Sequence, residues 1–181
     1  MNLPHGLHAV ATIREATVGD IPSIAAVHVA SWRESYSGMI DERLIEERTL
    51  DFRIAQWNDI FTQPGRTTLV AQDDTGATLG FASACSLSPR VDAFDSYLQM
   101  LYLIAAVKRR GIGRALLRAL ARKLLETGCR NMALRVVRNN PARQFYEGLG
   151  AVLSGRGLSI DAGIFDDVVY EFADLGALLE R

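Results

Sequence analysis

Residues 96–137 constrain this chain most, because they set an apolar segment, a basic glycine-containing turn, a long amphipathic stretch and a second apolar segment in immediate succession. Ser96–Ile104 is apolar on both alternating sets of positions, as a central strand covered on two faces must be. Gly111–Thr127 follows with helical periodicity. Ile112, Ala115, Leu116, Ala119, Leu120 and Leu124 form one face, Arg114, Arg118 and Arg122 stripe another, and Gly128 supplies the stop. Asn131–Val137 then reads as a strand. Strand, helix and strand in this order predict two parallel strands joined by a right-handed crossover.

The flanking sequence adds elements of other kinds. Residues 1–11 read as a loosely held leader, and 12–181 as one domain. Thr12–Ala16 predicts a short strand, and Asp20 an N-cap with Pro22 in the first turn of a helix reaching Glu34. Helical patches follow at Asp41–Glu47 and Leu50–Phe61. Thr67–Gln72 and Thr78–Leu87 flank the hairpin turn chemistry of Asp73-Asp74-Thr75-Gly76, and an irregular loop is expected around Pro89. Pro141–Leu149 predicts a short helix, and Val152–Ile160 with Phe165–Phe172 an antiparallel pair. The expected fold class is α/β, a mixed sheet that is mostly antiparallel with one parallel pair.

Composition narrows the function. Hydrophobic residues at 49% and charged residues at 23% describe a globular domain, and a net charge of −1 argues against nucleic acid or an anionic membrane as partner. No apolar run approaches membrane-spanning length, no secretory signal opens the chain, and Cys85 and Cys129 have no metal-ligand spacing. The expectation is a cytoplasmic protein with two free thiols and no metal.

The turn Lys108-Arg109-Arg110-Gly111-Ile112-Gly113-Arg114 carries the chemistry. A helix start leaves amides without partners and adds partial positive charge, so an anion there is stabilised twice. Glycines at 111 and 113 would let a phosphate approach the backbone, and the cations add charge-assisted contacts. Walker A chemistry is absent, and the dinucleotide fingerprint fails where Leu116 replaces its third glycine. A solvated basic turn is the structural alternative.

These residues resemble the GNAT superfamily of N-acetyltransferases. Its loop motif Gln/Arg-x-x-Gly-x-Gly/Ala after a Leu-Tyr-Val strand is matched by Leu101-Tyr102-Leu103 and Lys108–Gly113. A second motif, Asn-x-x-Ala-x-x-Phe-Tyr-Glu-x-x-Gly, is matched by Asn139, Ala142, Phe145, Tyr146, Glu147 and Gly150. The opening 12–17 and the helix ending Ser31–Tyr36 are also similar, so the resemblance spans roughly 12–172. Lys108 departs from the motif's first position, Ala105 stands where proline is common, and Ala151 where an aromatic is usual.

The resemblance implies direct transfer of acetyl from acetyl-CoA to a primary amine in a ternary complex. Leu101, Tyr102 and Leu103 would face the pantetheine arm, with a backbone N–H of that strand polarising the thioester carbonyl. Lys108, Arg109, Arg110, Gly111, Ile112, Gly113 and Arg114 would hold the pyrophosphate. Asn139 and Ala142 would meet the cofactor, and Tyr146 would protonate the leaving thiolate, against a plain packing role. Relatives place a glutamate base where this chain has Tyr97, which leaves Asp95, Glu34, His28 or a water chain as alternatives. Trp32 and Tyr36 would line the acceptor pocket or simply pack, and Asp92, Asp95, Asp166 and Asp167 would attract a cationic amine or merely be solvated. His28, on an apolar helix face, is expected to be a satisfied buried histidine. Two readings compete with the enzyme: an acyl-CoA-binding sensor of the same fold, and nucleic-acid binding through 108–114 with Arg135, Arg138 and Arg143. Pairing of two copies through a sheet edge is a further expectation of the resemblance.

Overall fold

A computed structural model describes residues 11–160 and 165–180. The leader and its histidines up to Val10 lie outside the described residues. In chain order the elements are β1 (Thr12–Glu15), α1 (Ile21–Tyr36), α2 (Glu42–Glu46), α3 (Leu50–Thr62), β2 (Arg66–Gln72), β3 (Thr78–Val91), β4 (Phe94–Leu103), α4 (Ile112–Glu126), β5 (Met132–Val137), α5 (Ala142–Gly148), β6 (Val152–Leu153), β7 (Asp167–Phe172) and α6 (Leu175–Glu180). The strands form one sheet in the order β1-β2-β3-β4-β5-β7-β6. All neighbours are antiparallel except β4 and β5, the parallel pair expected from the strand–helix–strand succession.

Strand alternation sends side chains to two layers. Leu69, Ala71, Ala82 and Leu98 point to the face covered by Leu116, Leu117, Leu120 and Leu124 of α4 and by Leu175 and Leu178 of α6. Val70, Phe81 and Met100 point to the opposite face, under Ile24, Ala25 and Val27 of α1 and Trp57 and Ile60 of α3. The core stripe of α4 differs from the periodic reading at one place: Leu117 and Ala121 are buried, while Ala115 is exposed. Gly128, at φ 89°, ends α4 as expected. Cys129 N–H donates to Leu124 O and Gly128 N–H to Leu125 O, both at 3.0 Å, which closes the helix on a left-handed residue.

Several boundaries differ from expectation for definite physical reasons. Asp20 stands before α1, but its side chain caps no helix amide. Its carboxylate takes Arg14 Nη2 and Nη1 at 2.7 and 2.8 Å and the Thr17 N–H at 2.7 Å, and the Arg14 guanidinium holds it well below the usual carboxylate range. The segment around Pro89 is strand, because β3 runs on to Val91 and turns into β4 through Asp92 and Ala93. Both turn residues have positive φ, 50° and 69°, without the glycine that advertises such a turn. The strand expected over 152–160 stops at Leu153. After Ser154 N–H reaches Val169 O at 2.8 Å the chain leaves β7, and Arg135 Nε holds the Ile160 carbonyl at 3.1 Å. Helix α6 has no counterpart in the sequence reading. Cys85 and Cys129 form no disulfide. Among the described residues, no helix is long and apolar enough to cross a membrane.

His28 is 1% exposed, accepts from Trp57 Nε1 at Nδ1 (3.3 Å), and is ringed by Phe81 and Tyr102. Burial pushes its pKa down to about 2, so folding demands the neutral imidazole. Because the unfolded chain binds this proton near pH 6.5 and the folded chain does not, stability is full above that value and falls as pH drops. The expected loss is about 2 kcal/mol between pH 7 and pH 5 for one such proton. Urea unfolding across that range checks it, and His28→Asn, which retains an acceptor for Trp57, should flatten the slope. An equal slope in the variant would contradict this origin.

Candidate active site

The two parallel strands touch only briefly. Tyr97 pairs with Ala133 and Leu98 with Leu134, and beyond these positions β4 and β5 share no register. Each strand is meanwhile bound along its other edge. β4 pairs with β3 as far as Leu103 opposite Gly80, and β5 pairs with β7 from Met132 to Val137. The sheet therefore opens into a cleft of about 700 Å³ between residues 98–103 of β4 and 134–136 of β5. Strand edges facing such a gap offer unpaired amides and carbonyls to an extended ligand. Ser31 Oγ, fully buried on α1, donates to Leu103 O at 2.9 Å and fixes the end of β4 that borders the gap.

The start of α4 closes one end of the cleft. Gly111 precedes the helix at φ 84°, in the left-handed region where a Cβ is strained, and no side chain caps the helix amides there. Its first N–H groups thus remain available, with the helix dipole behind them. Gly113 has a different reason to lack a side chain. A Cβ there would come 3.3 Å from both Leu103 and Phe145, so it permits β4, α4 and α5 to meet closely at the border of the cleft. Arg109 also has positive φ, at 62°. Lys108 Nζ sits 2.9 Å from Glu34, across the cleft mouth.

Of the residues singled out from sequence, Leu101, Tyr102, Leu103, Lys108, Arg109, Gly111, Gly113, Arg114, Ala142, Tyr146 and Tyr36 all border the cleft. Arg110 is exposed outside its lining, and the Ile112 side chain is buried in the core. Asn139 borders a second cavity of about 450 Å³ that adjoins the cleft at Met39. The neighbouring Asn140 faces the cleft instead. It is buried, and its Oδ1 accepts the Ala142 N–H at 2.9 Å, which starts α5. Trp32 stands one layer back, its ring 4.4 Å from that of Tyr36. Sequence reasoning did not single out Ser31, Gln99 or Asn140, because single polar residues inside apolar runs have no periodic signature.

Tyr146 is held on α5 with its hydroxyl beside those of Tyr36 and Tyr97, and burial raises its pKa well above the ordinary phenol value. It is therefore a proton-bearing phenol throughout the physiological range. The base candidates are placed differently from one another. Asp95 accepts the Arg130 N–H at 2.8 Å and pairs with Arg90, at the far end of β4 outside the cleft lining. His28 is neutral in the core, and Glu34 borders the cleft but faces Lys108. The other loop aspartates are engaged: Asp92 with Ser159 N–H, Asp166 with Arg138 and Asp167 with Arg135.

Comparison with known proteins adds relatives to this geometry. The acetyltransferase (GNAT) family model matches residues 27–151. The protein named uncharacterized N-acetyltransferase YuaI of Bacillus subtilis (strain 168) is 35% identical over 136 residues, 75% of this chain and 77% of that one. The crystal structure of PaiA N-acetyltransferase from Thermoplasma acidophilum, in complex with coenzyme A, superposes with a TM-score of 0.72 at 21% identity, covering 89% of this chain and 97% of that chain. An acetyltransferase from Thermus thermophilus superposes with a TM-score of 0.66 at 20% identity over 92% and 99% of the two chains.

Replacing Gly111 by valine forces a β-branched side chain into the left-handed region at the helix start. The expected result is a rise of about tenfold or more in the coenzyme A dissociation constant by calorimetry, with the circular dichroism of the fold retained. An unchanged constant would remove this helix start from the site.

Proposed function

Since the chain belongs to the GNAT acetyltransferase family, we propose that it transfers the acetyl group of acetyl-CoA to a primary amine by direct attack within a ternary complex. The observation that carries the reading is the parting of β4 and β5 directly over the uncapped start of α4. An extended arm with amide groups fits between two strand edges, and a pyrophosphate fits a helix start flanked by Lys108, Arg109 and Arg114. Leu101 and Leu103 supply the β4 backbone groups for the arm, and an N–H of that strand is the donor that polarises the thioester carbonyl. Asn140, through its contact with Ala142, holds α5 in place at the opposite wall.

The balanced reaction is an amine plus acetyl-CoA giving an N-acetylamine and free CoA. The amine nitrogen bonds the acetyl carbon, the carbon–sulfur bond breaks with its electron pair on sulfur, and one proton passes from nitrogen to sulfur. Tyr146 supplies the sulfur proton, a role suited to a buried phenol that stays protonated. The amine proton leaves through water along the cleft and restores Tyr146. A cytoplasmic location, where acetyl-CoA is available, accords with this role.

Tyr146→Phe tests the assignment. The turnover number should fall on the order of 10²-fold or more with little change in acetyl-CoA affinity, since only the proton is removed. Turnover is read as free CoA released with a panel of amines. Near-normal turnover would remove Tyr146 from the acid role, and cofactor binding without CoA release from any amine would favour a sensor of the same fold.

A further inference from the structure

The wall of α1 and α3 beside the cleft buries three hydrogen-bond donors without acceptors. Arg53 projects inward from α3 and is 3% exposed. Its Nη1 donates to Gln56 Oε1 at 2.8 Å, whereas Nε and Nη2 have no partner, and neither does Nε1 of Trp32, over whose ring the guanidinium lies at 4.7 Å. The surroundings are aromatic. Tyr36 and Tyr102 are the groups that favour its charge, Arg48 opposes it, and no carboxylate among the described residues forms an ion pair with it. A buried cation with two unmade donors is costly to fold around, so the arrangement calls for an anion from outside the chain.

The location says which anion. Tyr36 and Tyr102 face Arg53 on one side and border the cleft on the other, and the Tyr36 hydroxyl neighbours that of Tyr146. An anion at Arg53 therefore sits one tyrosine ring from the reacting end. Nε and Nη2 form one edge of the guanidinium, which matches the two oxygens of a carboxylate, and one negative charge balances one positive. A doubly charged phosphate would leave a buried charge unmatched. The second cavity continues from the Tyr36 and Phe165 rings, and its lining joins Met39, Ile40 and Leu44 to Asp41, Arg138, Asn139 and Asp166, so an apolar side chain of such a molecule would rest on the first three.

We propose that Arg53, aided by the Trp32 indole N–H, is the receptor for a carboxylate on the acceptor, which makes the acceptor an amino acid or similar small amine bearing a carboxylate and an apolar side chain. The inference rests on the acetyl-transfer reading of the same cleft. The proposal requires the half-buried Tyr36 ring to give way so that the carboxylate reaches the enclosed donors.

The test uses matched pairs: L-methionine, L-leucine and L-phenylalanine against the amines that lack only their carboxylate, with CoA release from acetyl-CoA as readout. Wild-type protein should favour the amino acids on the order of 10²-fold or more in kcat/KM. Arg53→Gln should abolish that preference, chiefly through KM, while calorimetric acetyl-CoA affinity holds and Tm does not fall. Equal use of both members of each pair by wild type, or a preference surviving in Arg53→Gln, overturns the proposal. The same amino acids are also added in thermal shift without acetyl-CoA, where they should raise the Tm of wild type and not of the variant. If no amine releases CoA but this shift is present, the acetyl-transfer reading fails and the carboxylate site stands; if the shift is absent too, both fall.

Discussion

Each central strand of this sheet is paired along its outer edge but only briefly along its inner one, and that difference shapes everything else. β4 is hydrogen-bonded to β3 along its length and β5 to β7 along its length, so each central strand is committed to its outer neighbour. Among the described residues, the ladder between the two halves spans just Tyr97–Ala133 and Leu98–Leu134. A β-bulge skips Gln99 in the pairing with β3, so β4 is kinked directly after its last pair with β5, and the gap lies beyond it toward the ends where α4 and α5 begin. A gap of this kind would be a defect in a purely structural sheet, since it leaves backbone donors and acceptors unpaired. Here the gap is bounded by a helix start on one side and buried Tyr146 on the other, and in the proposed reading the unpaired edges are the binding surface for the cofactor arm.

Much of this was legible in the residues. The succession from Ser96 to Val137 dictated the parallel pair and its crossover, because a two-sided apolar strand followed by a long amphipathic helix has few other ways to bury its faces. The turn at 108–114 announced itself by coupling cations to glycines, and eleven singled-out positions do meet around one cleft. The packing of Gly113 against Phe145 was not legible, since a glycine needed for that contact looks the same in sequence as one needed for ligand approach. Asn139 and Asn140 are chemically identical neighbours, and only the geometry of the bend after β5 sends one to the second cavity and the other to the cleft. The Asp92–Ala93 turn was hidden because it adopts left-handed conformations without glycine. Arg53 was hidden for a related reason: an arginine on an amphipathic helix reads as surface, and its burial is decided by Trp32 from a different helix.

The distribution of charge around the cleft gives the site a direction. Cations gather at the α4 start, where a pyrophosphate would lie, and Glu34 bridges to Lys108 at that mouth. At the other end the ionisable groups are tyrosines, with Arg53 behind them and Asp166 and Asp167 committed to arginines. A protonated amine is thus not stabilised by a nearby unpaired carboxylate among the described residues, and loss of its proton to water is correspondingly easier. This arrangement accords with a mechanism in which the chain supplies an acid and positioning, while water in the cleft relays the amine proton back to Tyr146.

The central claim is that the parted strands and the α4 start together hold coenzyme A. A crystal structure of the protein grown with coenzyme A tests it most directly. The pantetheine arm should lie between β4 and β5 with hydrogen bonds to the Leu101–Leu103 backbone, and the pyrophosphate within hydrogen-bond distance of the first amides of α4. Coenzyme A bound elsewhere, with that gap closed by side chains, would contradict it.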